Sequence, residues 1–394
     1  MHILTNYALQ LGQYIDKFFI YEKFIPVPTD KPYLCIHTTS KPSKSYSKWQ
    51  DVIDILKPIL DKNNIDILQI GGKDDLRVNG SYDFCGQTSY AQTAYIIKNC
   101  LFFLGADSFP GHLSGHYSKP STILFSNNYI NCICPYFGDK TKQIFLEPDR
   151  SKFLYPSFSF EENPKSIDTI KPELIASSVC KLLNLTYDYP YQSLYFGEFY
   201  HQKLVECVPN QVINPAQLGI STIIIRYDLF QNEQCLAGQI QQGKTVIVTD
   251  RTLNIELLKT FKNNINQIVY IVSKNTNPSE ILQYQQLGIK TDMISYLSEE
   301  ELNEIKLDFC EIGMIFSRPP KKLFDYDELK GKDINKLFYK SNKFILSSGK
   351  IYLSEYDYKN NNPVPDFNTK IRKIDTDLEE FTKEISHFCI LEKI

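Results

Sequence analysis

"GADSFPGHLSGHYSKPSTILF", Gly105 to Phe125, follows the apolar run Cys100–Leu104 and turns at once into small and polar residues. Two histidines, His112 and His116, stand four apart within it. A glycine after a buried strand permits a tight exit, and the residues after Asp107 then open a helix. A helix N-terminus offers free backbone N–H groups and a partial positive charge, so it is a ready anion site, and a diphosphate is a natural guest. Ser108 either caps this helix or donates to a phosphate. His112 either reaches a phosphate oxygen or orients the loop. The same residues also fit an ordinary capped helix, with Asp107 and Ser108 at the cap and His112 packed under the sheet.

Working outward, "YLCIHTT" is a short buried strand with a polar end. "SKWQDVIDILKPILDKN" is helical, because Trp49, Val52, Ile53, Leu56 and Leu60 recur at helical spacing. "IDILQIGG" is a strand closed by glycines, "TSYAQTAYIIKNC" a helix, "LFFLGAD" a strand and "STILF" another. Alternation of strands and helices predicts a parallel sheet wrapped by helices. Such sheets bind ligands beyond the carboxyl ends of their strands. His37-Thr38-Thr39, Gly71-Gly72 and Asp107-Ser108 all fall at those ends.

A second series follows the link "TYDYPYQS". "STIIIRYDLF", "KTVIVTDR" and "QIVYIVS" read as strands separated by helices, and a further strand, helix and strand lie in "TDMISYLSEEELNEIKLDFCEIGMIF". "KFILSSGKIYLSEYDY" reads as a hairpin about Ser348-Gly349 and "DLEEFTKEISHFCIL" as a terminal helix. Tyr7 to Phe24 reads as an amphipathic helix with Leu9, Tyr14, Phe18, Phe19 and Tyr21 on one face. The expected organisation is an N-terminal helix (1–27) packed at a domain junction, a ligand-binding α/β domain (28–186) and a second α/β domain (190–394). The length of 394 residues suits two cores better than one.

A formal charge of −3 argues against a nucleic-acid backbone as the partner. The 10 cysteines include no CxxC pair and sit mostly in apolar runs, as buried thiols of a reducing cytoplasm do. The first residues lack a basic segment ahead of a long apolar core, and no stretch approaches the roughly 20 apolar residues of a membrane span. A cytoplasmic protein is expected.

The run from Tyr33 to Phe125 resembles the donor half of the ADP-heptose heptosyltransferases of lipopolysaccharide synthesis. "YLCIHTTSKPSKSYSKWQDVIDIL" is similar to their strand, polar H-x-[ST]-[ST] turn, lysine and Trp-containing helix. "IDILQIGGKDD" and "FCGQTSYAQTAYIIKNCLFFLGAD" match the next elements in order, and Asp107 to His112 match their G-x-D-[ST]-G-x-x-H. The resemblance implies two Rossmann-like domains facing across a cleft (GT-B-like) and transfer of a sugar from a nucleotide-diphosphate sugar to an acceptor hydroxyl, inverting and without a metal. No cofactor is implied beyond the nucleotide sugar as co-substrate, and no DxD triplet to hold a metal lies within the run from Tyr33 to Phe125. It further implies that Asp107, Ser108 and the backbone from Phe109 to Gly111 border the diphosphate, with His112 the motif histidine. Lys44, seven residues past His37, would pair with phosphate. Thr38 and Thr39 supply the turn hydroxyls, Asp74 or Asp75 and the adjoining Gly72 lie near the ribose, and Gly86-Gln87-Thr88 lies beside the base. Two departures stand out: Phe109 replaces the motif glycine, and the donor half comes first in the chain rather than second.

That reversed order leaves the family's catalytic acid without a counterpart, so the base is argued from chemistry. Inverting transfer needs a carboxylate to take the acceptor's proton. In the second domain Arg226 and Asp228, followed by Glu233, end one strand, and Asp250 and Arg251 end another. Asp228 is preferred and Asp250 second, each also fitting a helix cap or an ion pair. Glu198, His201 and Glu206 lie near the junction. A non-catalytic nucleotide-sugar-binding module is the alternative. A glycan or other hydroxyl acceptor is expected. A hydroxylated base in DNA is a further candidate, which the net charge does not favour.

Overall fold

The computed structural model describes residues 1–16, 19–151, 154–375 and 377–394. The chain forms two compact units, Met1–Tyr191 and Gln192–Ile394.

The first unit holds a six-stranded sheet of β1 (Tyr33–His37), β2 (Asp66–Ile70), β3 (Tyr82–Asp83), β4 (Phe102–Ala106), β5 (Ser121–Leu124) and β6 (Gln143–Leu146), in the order β3-β2-β1-β4-β5-β6. All neighbours are parallel. Around it lie α1 (Ile3–Leu11), α2 (Trp49–Lys62), α3 (Tyr90–Asn99), α4 (Phe109–His116), α5 (Ile130–Ile133) and α6 (Pro172–Leu183). Strands buried on both faces need near-continuous apolar sequence, and β1 and β4 supply it. Trp49, Val52, Leu56 and Leu60 of α2 join Leu34, Ile36, Phe102 and Leu104 in one core, while Cys35, Phe103 and Ile97 lie in the core on the other face. Trp49 Nε1 donates to the Thr38 carbonyl at 2.7 Å, anchoring α2 at the exit of β1.

The expected helix from Tyr7 to Phe24 is instead α1, which stops where Gly12 takes a left-handed conformation (φ +61°). Past that stop, Ile20, Ile25 and Val27 pack against the core, and Lys23 N–H donates to the Ala91 carbonyl at 3.1 Å. Leu9, Tyr14, Phe19 and Tyr21 are exposed, so they form no buried helical face. Phe18 lies outside the described residues.

Strand β7 (Tyr191–Phe196) leads into the second unit. There β8 (Leu204–Cys207), β9 (Thr222–Arg226), β10 (Lys244–Thr249), β11 (Ile265–Ile271), β12 (Thr291–Ser295) and β13 (Ile315–Ser317) are parallel neighbours in chain order. They alternate with α7 (Glu233–Gln241), α8 (Ile255–Phe261), α9 (Pro278–Gln286) and α10 (Glu299–Ile305). Strand β14 (Leu337–Ser341) belongs to a separate sheet, whereas β15 (Lys343–Ser347) pairs with β8 and turns at Ser348-Gly349 into antiparallel β16 (Lys350–Tyr352), the expected hairpin. After α11 (Glu355–Lys359) come β17 (Ile371–Lys373), α12 (Glu379–Thr382) and β18 (Phe388–Lys393). The separate sheet has the order β17-β14-β18-β7. The expected terminal helix is therefore short. "FCILEK" instead forms β18, a mostly buried strand that lies between β14 and β7 in this sheet.

Candidate functional site

In the first sheet the chain winds outward from β1 to β3, then returns to place β4 on the other side of β1. The ends of β1 and β4 thus bound the switch point at which such sheets open a crevice. A cavity of about 490 Å³ lies here, within the size range of small-molecule sites. His37, Thr39, Gly71, Gly72, Ser108 and Phe109 are among its lining residues.

The exit of β4 is held by side chains of β1. Ser108 Oγ donates to the Ala106 carbonyl at 3.0 Å and lies 3.1 Å from His37 Nδ1. Burial lowers the His37 pKa to about 4, so the ring is neutral. Ser40 Oγ donates to the Asp107 carbonyl at 2.9 Å. Ser108 occupies the cap position of α4, but its hydroxyl does not bond back to the helix. Pro110, in the first turn, has no N–H. The first-turn N–H groups of Phe109 and Gly111 therefore have no capping side chain.

Several expected residues occupy other stations. Lys44 Nζ forms an ion pair with Asp107 Oδ2, and His112 Nε2 stands 3.7 Å from Asp107 Oδ1. The three residues meet with their charges directed at one another, and none of them lines the cavity, whereas Ser108 does. Thr38 is buried: it donates to the Leu76 carbonyl and accepts from Gln69 Nε2, both at 3.0 Å, so it braces the wall from behind. Asp75 Oδ2 accepts from Gly72 N–H at 2.7 Å and closes the loop after β2, while Asp74 is exposed. Gln87 Nε2 donates to the Asp83 carbonyl at 2.9 Å. Gly86 lines the cavity with φ +72°, and a Cβ there would fall 2.8 Å from Lys73 Cα. Gly111 packs α4 onto β5, where a Cβ would meet Ile123 Cδ1 at 3.4 Å.

The sequence reading places only the backbone of Phe109 at the site and does not name Tyr90. Tyr90 and Phe109 meet edge to face at the cavity, with ring centroids 5.4 Å apart. They are 81% and 47% exposed. The one available signal was Phe109 itself, standing where the family motif has glycine.

In the second unit, Asp228 is not free to serve as expected. Arg226 Nε donates to its Oδ1 at 2.9 Å and Nη2 to its Oδ2 at 2.7 Å. Arg226 also binds Glu206 and Glu355, each at 2.7 Å, and Lys343 binds Glu206 at 3.2 Å and also Glu384. Burial would raise the Glu206 pKa, but Lys343 and Arg226 outweigh it and hold the carboxyl at about 2. Burial raises the Asp228 pKa against the opposing pull of Arg226. With both oxygens on one guanidinium, Asp228 is a bracing group of this network. Asp250, 41% exposed, pairs with its neighbour Arg251. Glu233 Oε1 accepts from Asn254 Nδ2, and His201 is exposed.

No protein-family model matches the chain, and no curated protein does. Among solved structures, a glycosyl transferase family 9 protein from Veillonella parvula matches at 16% identity and TM-score 0.33, over 46% of this chain and 50% of that one. An E. coli ADP-heptose lipopolysaccharide heptosyltransferase II matches at 14% identity and TM-score 0.32, again over 46% and 50%. An E. coli heptosyltransferase with ADP matches at 13% identity and TM-score 0.31, over 45% of this chain and 54% of that one. The chain spans about half the length of these structures. Among the described residues, no helix is long and apolar enough to cross a membrane.

Proposed function

We propose that the first unit binds a nucleotide-diphosphate sugar and that the chain transfers the sugar to an acceptor hydroxyl, with inversion and without a metal. The observation that carries this is the cavity at the β1/β4 switch point, bordered by the uncapped first turn of α4 and by the Tyr90–Phe109 pair. The helix terminus would hold the diphosphate and stabilise it as it departs. The aromatic pair would take the flat base. Lys44 would act through Asp107, fixing the loop rather than touching phosphate. For the acceptor's proton we assign Asp250 ahead of Asp228, since it ends β10, is accessible, and is held by an exposed pair of little energetic weight.

Thermal unfolding with a panel of nucleoside diphosphates and their sugar conjugates tests the reading. One nucleoside diphosphate should raise the transition temperature, because a ligand of the folded state stabilises it. Its sugar conjugate should then be slowly hydrolysed when no acceptor is present. Failure of every member to raise the transition temperature would overturn the proposal.

A second reading, a nucleotide-sugar-binding module without turnover, is supported by one observation: Lys44 and His112 both face Asp107 rather than the cavity. Tight binding with neither hydrolysis nor transfer would favour it.

A further inference from the structure

Strands β8 to β13 lie side by side in chain order, so each right-handed crossover passes on the same side of the sheet. The core shows the result. Ile223, Ile225, Ile247, Ile268 and Met293 pack against Leu236, Ile240, Leu258 and Ile281 of the helices. The alternate residues point the other way. Ile224, Val246, Val248, Val269, Ile271 and Ile294 line the floor of a cavity of about 180 Å³ and are half-buried rather than buried. Parallel sheets ordinarily have both faces covered.

One end of this floor is cationic. Arg318, just past β13, holds its guanidinium 5.8 Å over the Phe199 ring, and Lys383 holds its ammonium 5.3 Å over the Tyr296 ring. Among the described residues neither makes an ion pair. His387 lines the same cavity, and its Nδ1 is buried without a hydrogen-bond partner among the described residues. Burial and then Lys343 pull its pKa down to about 4, so the ring is neutral. The carboxylates that also line the cavity are engaged elsewhere: Glu206 by Arg226 and Lys343, Glu355 by Arg226 and Lys359, and Glu384 by Lys343. Two positive charges and a neutral imidazole are left over, beside an aliphatic floor.

We propose that this face of the second unit binds a small soluble phosphomonoester carrying an apolar group. A guanidinium and an ammonium suit a dianionic head, and charge-assisted bonds to phosphate are the stronger kind. The floor would cover the apolar group. The cavity holds a head and a short substituent, not a long chain, which sets the commitment to a soluble ligand. The site is built from residues of the second unit alone, and the proposal does not rest on the nucleotide reading.

Calorimetric titration of the full chain at low ionic strength tests this, with hexyl phosphate, inorganic phosphate and 1-hexanol as probes. Hexyl phosphate should bind about tenfold or more tightly than inorganic phosphate, the worth of two or so buried methylenes, and hexanol should not bind measurably. Arg318→Ala with Lys383→Ala should weaken hexyl phosphate by about tenfold or more while leaving thermal unfolding unchanged, since neither cation braces the fold. Ile271→Gln should weaken hexyl phosphate and spare inorganic phosphate. Unaltered affinity in the double variant, equal binding of the two phosphates, or binding only to phosphatidic acid vesicles would each overturn the proposal.

Discussion

Ser108 Oγ lies 3.1 Å from His37 Nδ1 and so ties the end of β4 to the end of β1 across the switch point. The same hydroxyl lies 3.0 Å from the Ala106 carbonyl, so it bridges the two strand ends. A neutral histidine therefore belongs to the frame of the cavity.

This fixes an acid sensitivity. The folded pKa of His37 is about 4, below the unfolded value of about 6.5. The unfolded chain then binds the proton first, so stability is present above the unfolded pKa and is lost as pH falls from about 6.5 toward 4. Urea unfolding at pH 7 and pH 5 should show a loss of about 2 kcal/mol from this group. His37→Gln should flatten that part of the profile; an unchanged slope would mean the imidazole is charged in the fold.

Phe109→Gly removes one ring of the Tyr90–Phe109 pair. The ring is half exposed, so thermal unfolding should change little. Nucleoside diphosphate affinity should fall by about 1–2 kcal/mol, the scale of one lost base–aromatic stack. Unaltered affinity would place the base elsewhere.

Lys44→Met leaves Asp107 nearly buried beside a group without charge. Removing one partner of a buried pair costs about 3–5 kcal/mol. Asp107→Asn should cost a similar amount, and the double variant less than the two added together, as measured by denaturant unfolding in a double-mutant cycle. Additive losses would deny the pairing.

Asp228→Asn and Asp250→Asn should part company. The first strips a bidentate partner from buried Arg226 and should destabilise the second unit. The second breaks only an exposed pair, and should preserve unfolding while reducing transfer by roughly 100-fold, the usual worth of a positioned base. Normal transfer by Asp250→Asn would remove it from the mechanism.

Strands β1, β2, β4 and β5 of the first sheet and β9 to β13 of the second were legible because each is a short apolar run between turn residues, and α2 because Trp49, Val52 and Leu56 recur at helical spacing. The limits were tertiary. Nothing local in "FCILEK" says that β14 awaits it, and β3, two residues long, carries no period at all. At the site, the motif names Lys44, Asp107 and His112. That Lys44 meets the Asp107 carboxylate rather than facing the cavity depends on where the 3-10 turn Pro42–Lys44 sits, which no spacing reveals. The surroundings of Asp228 are equally hidden: Arg226 is shared with Glu206 and Glu355, and Lys343 joins Glu206, all residues 20 or more positions from Arg226 that fold onto it.

The two sheets also impose different itineraries on the growing chain. From β8 to β13 every new strand finds its neighbour in the strand just made, so this half of the second unit can zip forward through local closures. The first unit cannot: β4 must travel back past two finished strands to reach β1, so the cavity at the β1/β4 switch point comes into being only at that late, long-range step. Amide protons of β4 and β5 should accordingly be the last in their unit to gain protection during refolding, with those of β9 and β10 shielded earlier.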